Sequence, residues 1–365
     1  MSEQQITTIE PVHPQARFIN LGALAPRALH AAYCGLAAAQ QADAQPILVV
    51  AQSVSTHLCL GQSQTPQVEL DIDACTQAGV EIVRRPLGGG TVLVDGDQHC
   101  IFFILPQSMS AARPARIFSY CLNPLARTFG RFDIAVRQVG RSDLWCGGSK
   151  IAGSGAATIG HSMVLGTSIV MDFPHALFSE LVSAPSAEFR AWLNDALPEA
   201  FMPWQALATV PSEAVIYRAL GAAVEETLGW RLHASAPSAA ELHAMQDAEE
   251  ELQRDLAEAD DVPAARRVAH GIKLNASTFL TESGGERGWL RILIKNRSIA
   301  RIAAQDAHAC ATLQACVGSK LLPAELHHRL ERVMARDDAR AWQESIALSA
   351  LGTQTDEAAV LGDEA

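Results

Sequence analysis

Two adjacent guanidiniums run into three glycines at Arg84-Arg85-Pro86-Leu87-Gly88-Gly89-Gly90-Thr91, and an apolar segment follows. Glycines lack a Cβ, so their backbone N–H groups can approach a ligand closely. Open N–H groups beside arginines favour an anion, above all a phosphate or a carboxylate. Further along, Ser149-Lys150-Ile151-Ala152-Gly153-Ser154-Gly155 sets one lysine among small residues as a mobile point charge. The pair describes a site for a phosphate-activated acid. Each half alone says little, since three glycines also make a plain flexible turn and most lysines are solvated. The loop matches neither the Gly-Lys-Ser/Thr ending of phosphate loops nor Gly-x-Gly-x-x-Gly.

Gly140-Arg141-Ser142-Asp143-Leu144 lies between the two segments. In this order the sequence resembles the lipoate–protein ligase and octanoyltransferase family, related to biotin–protein ligases. That family carries Arg-Arg-x-x-Gly-Gly-Gly, Gly-Arg-x-Asp-Leu and Lys-Ile-x-Gly-Ser, then a Gly-Thr strand. Here they stand as Arg84 to Gly90, Gly140 to Leu144, Lys150 to Ser154, and Gly166-Thr167. The resemblance covers roughly residues 20–180. It implies ATP-dependent ligation of lipoate or octanoate to a lysine of a lipoyl-carrier protein, through an acyl-adenylate. ATP with Mg²⁺ and lipoate are then the small molecules, and an apo lipoyl domain is the partner. Two alternatives stay open: an octanoyl or lipoyl transferase that takes its acyl group from a carrier without ATP, and a non-catalytic acyl-binding scaffold.

Under this resemblance Lys150 is the catalytic residue, an ammonium that stabilises charge on the carbonyl oxygen and the phosphate. Gly88, Gly89, Gly90 and Thr91 form the anion loop. Arg84 and Arg85 face opposite ways if they lie on a strand, so one reaches the phosphate and the other bonds a carboxylate or loop carbonyl. Asp143 holds Mg²⁺ or a ligand hydroxyl, or else caps a turn. Gly153, Ser154, Gly166 and Thr167 shape the acyl tunnel, or else serve sheet packing. No metal site built from protein ligands alone is expected. The sequence departs from the family where His-Asp-x-x-Asn often follows the glycines, with Val94, Asp95 and Gln98 at those places, and where Leu165 precedes Gly166. The transferase branch needs a cysteine nucleophile after the lysine. Here none occurs between Lys150 and Cys310, and Ser183-Ala184-Pro185-Ser186 stands where one branch has Pro-Cys. Cys146 reads as core.

Elements must hold these residues in place. The spacing predicts a helix over 27–42, and buried strands at Ile47–Ala51 and His57–Gly61. A short helix is expected over Asp71–Gly79, then strands Val80–Arg84 and Thr91–Val94. Asp95-Gly96-Asp97 reads as a hairpin turn into strand Cys100–Leu105. A helix over Ala112–Phe129 precedes strands near Ile134–Val139, Leu144–Cys146, Ser149–Ala156 and Met163–Met171, after which the chain turns helical. The fold class is α+β: a mixed, mostly antiparallel sheet with packed helices, plus a small C-terminal α+β accessory domain. Residues 1–232 form the catalytic domain and 241–351 the accessory domain, split by the linker His233–Ser238. Glu241–Asp261 reads as a solvated helix, Ile272–Leu280 and Trp289–Lys295 as strands, and Asn296-Arg297 as a turn into Ser298–Ala303. Residues 352–365 read as an acidic, flexible tail.

Composition bounds the rest. The chain has 365 residues, 48% hydrophobic, enough for two packed domains. Its formal charge of −12 argues against a general nucleic-acid binder. No apolar run is long enough to span a membrane, and the first residues lack a signal-peptide core. Eight cysteines without zinc spacing, Cys310 and Cys316 included, read as reduced thiols of a cytoplasmic protein.

Overall fold

The computed structural model of the chain describes residues 14–110, 114–260, 269–285 and 287–351. Its fifteen strands in these regions are β1 (Gln15–Leu24), β2 (Ile47–Ser53), β3 (His57–Leu60), β4 (Glu81–Arg84), β5 (Val92–Val94), β6 (His99–Pro106), β7 (Val136–Val139), β8 (Asp143–Cys146), β9 (Ser149–Ile159), β10 (Ser162–Ile169), β11 (Arg231–Ala234), β12 (Ala269–Asn275), β13 (Thr278–Gly285), β14 (Gly288–Lys295) and β15 (Ser298–Ala304). Eight form one sheet in the order β11-β1-β2-β6-β10-β9-β8-β7. Only the pairs β11/β1 and β1/β2 are parallel. The α+β architecture, mixed and mostly antiparallel with packed helices, is therefore as the sequence implies.

The run His-Cys-Ile-Phe-Phe-Ile-Leu-Pro of β6 is buried along its whole length, which only a central strand with both faces covered allows. Phe102 and Ile104 face Leu29, Tyr33 and Leu36 of the Pro26–Ala38 helix. Ile101, Phe103 and Leu105 join the opposite core of Phe129, Trp204, Leu220 and Trp230. Helices Pro114–Gly130 and Glu213–Leu228 cover that second face. A period of two along β6 thus divides one apolar run between two cores.

Three local expectations are corrected. The Asp95–Asp97 turn does not close a hairpin, because β5 pairs with β3 in a small sheet β4-β3-β5 while β6 lies in the large one. The Asp95 carboxylate accepts from the N–H groups of Asp97 and Gln98 and stabilises a crossover between sheets. The segment expected as one strand over Ile272–Leu280 is two strands, β12 and β13, broken by a turn in which Asn275 Oδ1 accepts from Ser277 N at 3.0 Å. The helix expected to be solvated, Ala239–Asp260, packs along Pro26–Ala38. Ala248 and Leu252 are buried there, and Arg17 and Arg84 pair with Glu241 and Asp255. Composition alone does not reveal which side of so charged a helix is covered. The edge strand β11 and its neighbour β1 were not legible as strands.

Beyond this helix, β12-β13-β14-β15 form a second, wholly antiparallel sheet. Leu290, Ile292 and Ile294 of β14 pack with Leu313, Leu326, Leu330, Trp342 and Ile346. From the other side Leu274, Leu280 and Leu293 join Phe178, Phe189, Leu193 and Leu197 in a shared core. The turn Asn296-Arg297 has positive φ at both residues, 50° and 61°, as a two-residue hairpin turn requires.

The helix pair depends on Gly35, where a Cβ would stand 2.3 Å from Met245 N and 2.6 Å from Ala244 C. Gly35→Ala should therefore lower stability by about 1–3 kcal/mol in urea denaturation. Gly130→Ala, whose Cβ would meet nothing within 4 Å, should be neutral or mildly stabilising.

Candidate functional site

The glycine loop lies across β9 and β10, and small residues make that possible. β9 and β10 pair Gly155 with Gly166 and Ser154 with Thr167. A Cβ at Gly155 would stand 2.2 Å from Gly88 O, and one at Gly166 would stand 2.6 Å from Leu87 Cδ1. On the far side, a Cβ at Gly61 would stand 2.0 Å from Gly89 O. Gly88 N donates to Ala156 O at 3.3 Å. Gly89 adopts φ +114°, a conformation that disfavours any side chain. Gly89 and Gly90 are exposed, and their N–H groups have no acceptor among the described residues. Thr91 is held by Gln64, whose Nε2 donates to Thr91 Oγ1 at 3.1 Å.

The two arginines part company. Arg84 Nη1 donates to both carboxylate oxygens of Asp255 at 2.8 Å, and Nη2 donates to Gln62 O. Its guanidinium thus ties β4 to the Ala239–Asp260 helix. Arg85 is 8% exposed and lies under the loop. Its Nη1 donates to Cys59 O at 2.7 Å and its Nη2 to Gly90 O at 2.8 Å. No carboxylate pairs with Arg85 among the described residues. A buried guanidinium without a counter-ion is costly, and an anion on the loop above it would supply the missing charge.

Lys150 stands close by on the same strand face. Its ammonium lies against Gly153, where a Cβ would stand 2.6 Å from Nζ. Gly153 and Gly155 share one face of β9, about 7 Å apart. Lys150 Nζ is 3.1 Å from Asp143 Oδ1 and 5.9 Å from the centre of the Phe201 ring. Asp143 is 4% exposed. Its Oδ2 accepts from Ala276 N at 3.0 Å, so the carboxylate joins the lysine to the β12–β13 turn. Ser154 Oγ donates to Ser142 O and Thr167 Oγ1 to Gly153 O, at 2.7 and 2.9 Å. Both hydroxyls are thereby used in fixing the sheet around the lysine. Arg85, the glycines, Asp143, Lys150, Gly153 and Gly166 are brought together; Arg84 is drawn away.

The serine at the transferase branch's cysteine place is engaged in structural bonds. Ser186 Oγ caps the Ala187–Ala200 helix by accepting from Phe189 N at 3.1 Å, and it also accepts from Arg291 Nη2 at 2.8 Å. Cys146 ends β8 opposite Ser149. Among the described residues no group of three or more His, Cys, Asp or Glu side chains is arranged to hold a metal ion, and no helix is long and apolar enough to cross a membrane. Sequence reasoning missed Phe201 and the Asn275–Ser277 turn, whose Asn-x-Ser pattern was its one local signal. It also missed His30, His57 and Cys59 beneath the loop, legible only as polar interruptions of apolar runs.

Known proteins resemble this chain in sequence and in fold. Residues 28–196 match the lipoyl protein ligase A/B catalytic domain. Lipoate–protein ligase 2 of Staphylococcus aureus is 28% identical over 113 residues, 31% of this chain. That match spans only a third of the relative, 33% of its length. A bi-partite lipoate protein ligase from Thermoplasma acidophilum, whose structural analysis includes its E2 lipoyl domain, superposes with a TM-score of 0.63 at 16% identity. It covers 70% of this chain and 100% of its own. Lipoate-protein ligase A bound with ATP superposes with a TM-score of 0.58 at 16% identity, covering 66% of this chain and 99% of its own. The glycine loop, Asp143 and Lys150 all lie inside the segment, residues 28–196, that matches the lipoyl protein ligase A/B catalytic domain.

Proposed function

We propose that this protein ligates lipoate, or octanoate, to a lysine of a lipoyl-carrier protein through an acyl-adenylate formed from ATP. The observation that carries the reading is the buried Arg85, without a carboxylate partner among the described residues, under a glycine loop whose Gly88 lies on Gly155, two residues along β9 from the Gly153 that meets Lys150. The ATP bound to one structural neighbour and the lipoyl domain studied with another favour the same substrates.

In the first step the acid's carboxylate oxygen attacks the α-phosphorus and pyrophosphate leaves. In the second, an acceptor amine attacks the acyl carbonyl and AMP leaves. Both steps build negative charge on phosphate and carbonyl oxygens. The Gly89 and Gly90 N–H groups and the Lys150 ammonium are preorganised donors for that charge. Asp143 would orient the ammonium through its 3.1 Å contact. Mg²⁺ would arrive on the phosphates, with the Asp143 carboxylate beside Lys150 at hand; Mg²⁺ characteristically uses few protein ligands and substrate oxygens. We place the accessory unit's role in acceptor positioning, reached through the Ala276–Asp143 bond.

The decisive experiment incubates the protein with ATP, Mg²⁺, lipoate and an apo lipoyl domain, and follows acceptor mass together with AMP and pyrophosphate. ATP-dependent mass gain with stoichiometric AMP is expected. Acylation from an octanoyl carrier without ATP would replace this reading with the transferase, and acyl binding without turnover would favour the scaffold.

Lys150→Ala should lose at least about 10²-fold in rate. Lys150→Arg should not restore it, because a planar fork has no room where the ammonium lies against Gly153. Near-normal turnover by either variant removes the lysine from the mechanism.

Gly155→Ala should displace Gly88 and with it the anion loop. Affinity for ATP, read by calorimetry, should fall about tenfold or more while urea stability falls by about 1–3 kcal/mol. Unchanged ATP affinity would reduce the loop to a connector.

A further inference from the structure

Beneath the glycine loop lies a buried polar cluster that the proposed chemistry leaves unused. Ser53, His57, His30 and Cys59 are all buried. They come from the end of β2, from β3 and from the Pro26–Ala38 helix.

Their hydrogen bonds have a single consistent direction. Ser53 Oγ donates to Ser55 O at 2.7 Å, which uses the hydroxyl proton. The same oxygen must then accept from His57 Nδ1, 3.1 Å away, so His57 carries its proton on Nδ1. His57 Nε2 is left as an acceptor 3.0 Å from His30 Nε2, so His30 carries its proton on Nε2. His30 Nδ1 is then an acceptor in turn, and the donor facing it is the Cys59 thiol at 3.9 Å, whose proton Leu60 O can also accept at 3.9 Å. The Cys59 sulfur accepts from Arg85 Nη1 at 3.4 Å. From Ser53 to His30 each link uses one proton and one lone pair, and both nitrogens of each imidazole face a partner.

The surroundings keep these groups in the required forms. Burial pushes the His57 imidazole down to about 4. Burial, then the charges of His57 and Arg85, hold His30 well below its usual value. Burial raises the Cys59 thiol against the opposing pull of Arg85. Two neutral imidazoles and a thiol can sit beside an uncompensated guanidinium, whereas an imidazolium would add like charge there.

Resting on the reading of the glycine loop as the anion site, we propose that Ser53, His57, His30 and Cys59 are positioning residues: a one-way hydrogen-bond chain that holds the Arg85 guanidinium beneath Gly88 and Gly90 and so shapes the loop before a phosphate arrives. Arg85 is the joint between chain and loop. Its Nη1 is held by the Cys59 sulfur and carbonyl oxygen, and its Nη2 by Gly90 O, with Gly88 O 3.5 Å away. Without the chain, the guanidinium would keep its charge but lose its orientation. Orientation of fixed dipoles is what a preorganised anion site depends on.

Two measurements test this. In the full-length protein with histidine labelled by ¹⁵N, NMR should find His30 as the neutral Nε2–H form and His57 as the neutral Nδ1–H form from about pH 6 to about pH 8. Opposite tautomers, or a charged imidazole in that range, overturn the chain. Cys59→Ala should raise both the calorimetric Kd and the KM for ATP about tenfold, with the KM for lipoate and kcat within about twofold. Cys59→Ser should recover ATP affinity to within about threefold, because a hydroxyl also donates and accepts. A merely structural role would instead reduce all parameters together through loss of folded protein. If Cys59→Ala binds ATP as the native chain does, the positioning role is wrong. If the native chain binds no ATP, the ligase reading and the loop's role fall together, while the tautomers still decide whether the chain of bonds exists. Should Cys59→Ala fail to fold, the tautomers and the Cys59→Ser affinity decide the question, an affinity loss beyond about tenfold in folded Cys59→Ser counting against it.

Discussion

Backbone lies on backbone where Leu87–Gly89 crosses β9 and β10, and the candidate site follows from that contact. Gly155 and Gly166 leave the sheet surface bare, so the loop descends to where Gly88 N meets Ala156 O. Gly61 leaves room on the other side for Gly89 O. Any side chain at these places would lift the loop away from the strand face that carries Lys150. A loop carrying its own side chains could not lie so low or turn its N–H groups outward. The approach therefore determines where an anion would sit relative to the lysine.

Electrostatics complete what the packing begins. The protein is acidic, with a formal charge of −12, so its overall field repels anions. Local arrangement overcomes this at one place. Arg85 is buried without a counter-ion among the described residues, whereas Arg84, its neighbour in sequence, is neutralised by Asp255. Lys150 is only partly neutralised, because Asp143 divides its two oxygens between the ammonium and the Ala276 N–H. At short range a guanidinium, an ammonium and oriented amides outweigh distant carboxylates, which water and salt screen.

The same Asp143 carboxylate connects the two units of the chain. The β12–β13 turn reaches it from the accessory sheet, and Asn275 Nδ2 donates to Ala200 O at 3.0 Å beside it. Below the turn, Leu274, Leu280 and Leu293 share a core with Phe189, Leu193 and Leu197. The ion pair of Glu282 and Arg291 is buried at the same boundary, with Arg291 stacked on Trp192 and Trp289. A contact at the candidate lysine is thus backed by a substantial apolar and ionic seam.

The sequence by itself determined the parts whose signals are local. The glycine loop, the lysine among small residues, the buried run of β6 and the Asn296-Arg297 turn were legible, because each depends on residues within a few positions. The α+β class followed from the order of such elements. Tertiary structure decided everything that turned on partners far along the chain. Arg84 and Arg85 are equivalent in composition, and only Asp255, 171 residues away, and Cys59 give them different fates. The Ala239–Asp260 helix reads as solvated until Gly35 offers it a surface to pack on. Strands β1 and β11 were not marked by a local pattern, and they exist through register with β2 and with each other. The Asn275–Ser277 turn was hidden inside a run of alternating apolar and polar residues, a pattern that favours continuing a strand. Burial and hydrogen-bond partnership are properties of pairs, and a sequence shows only one member of each pair at a time.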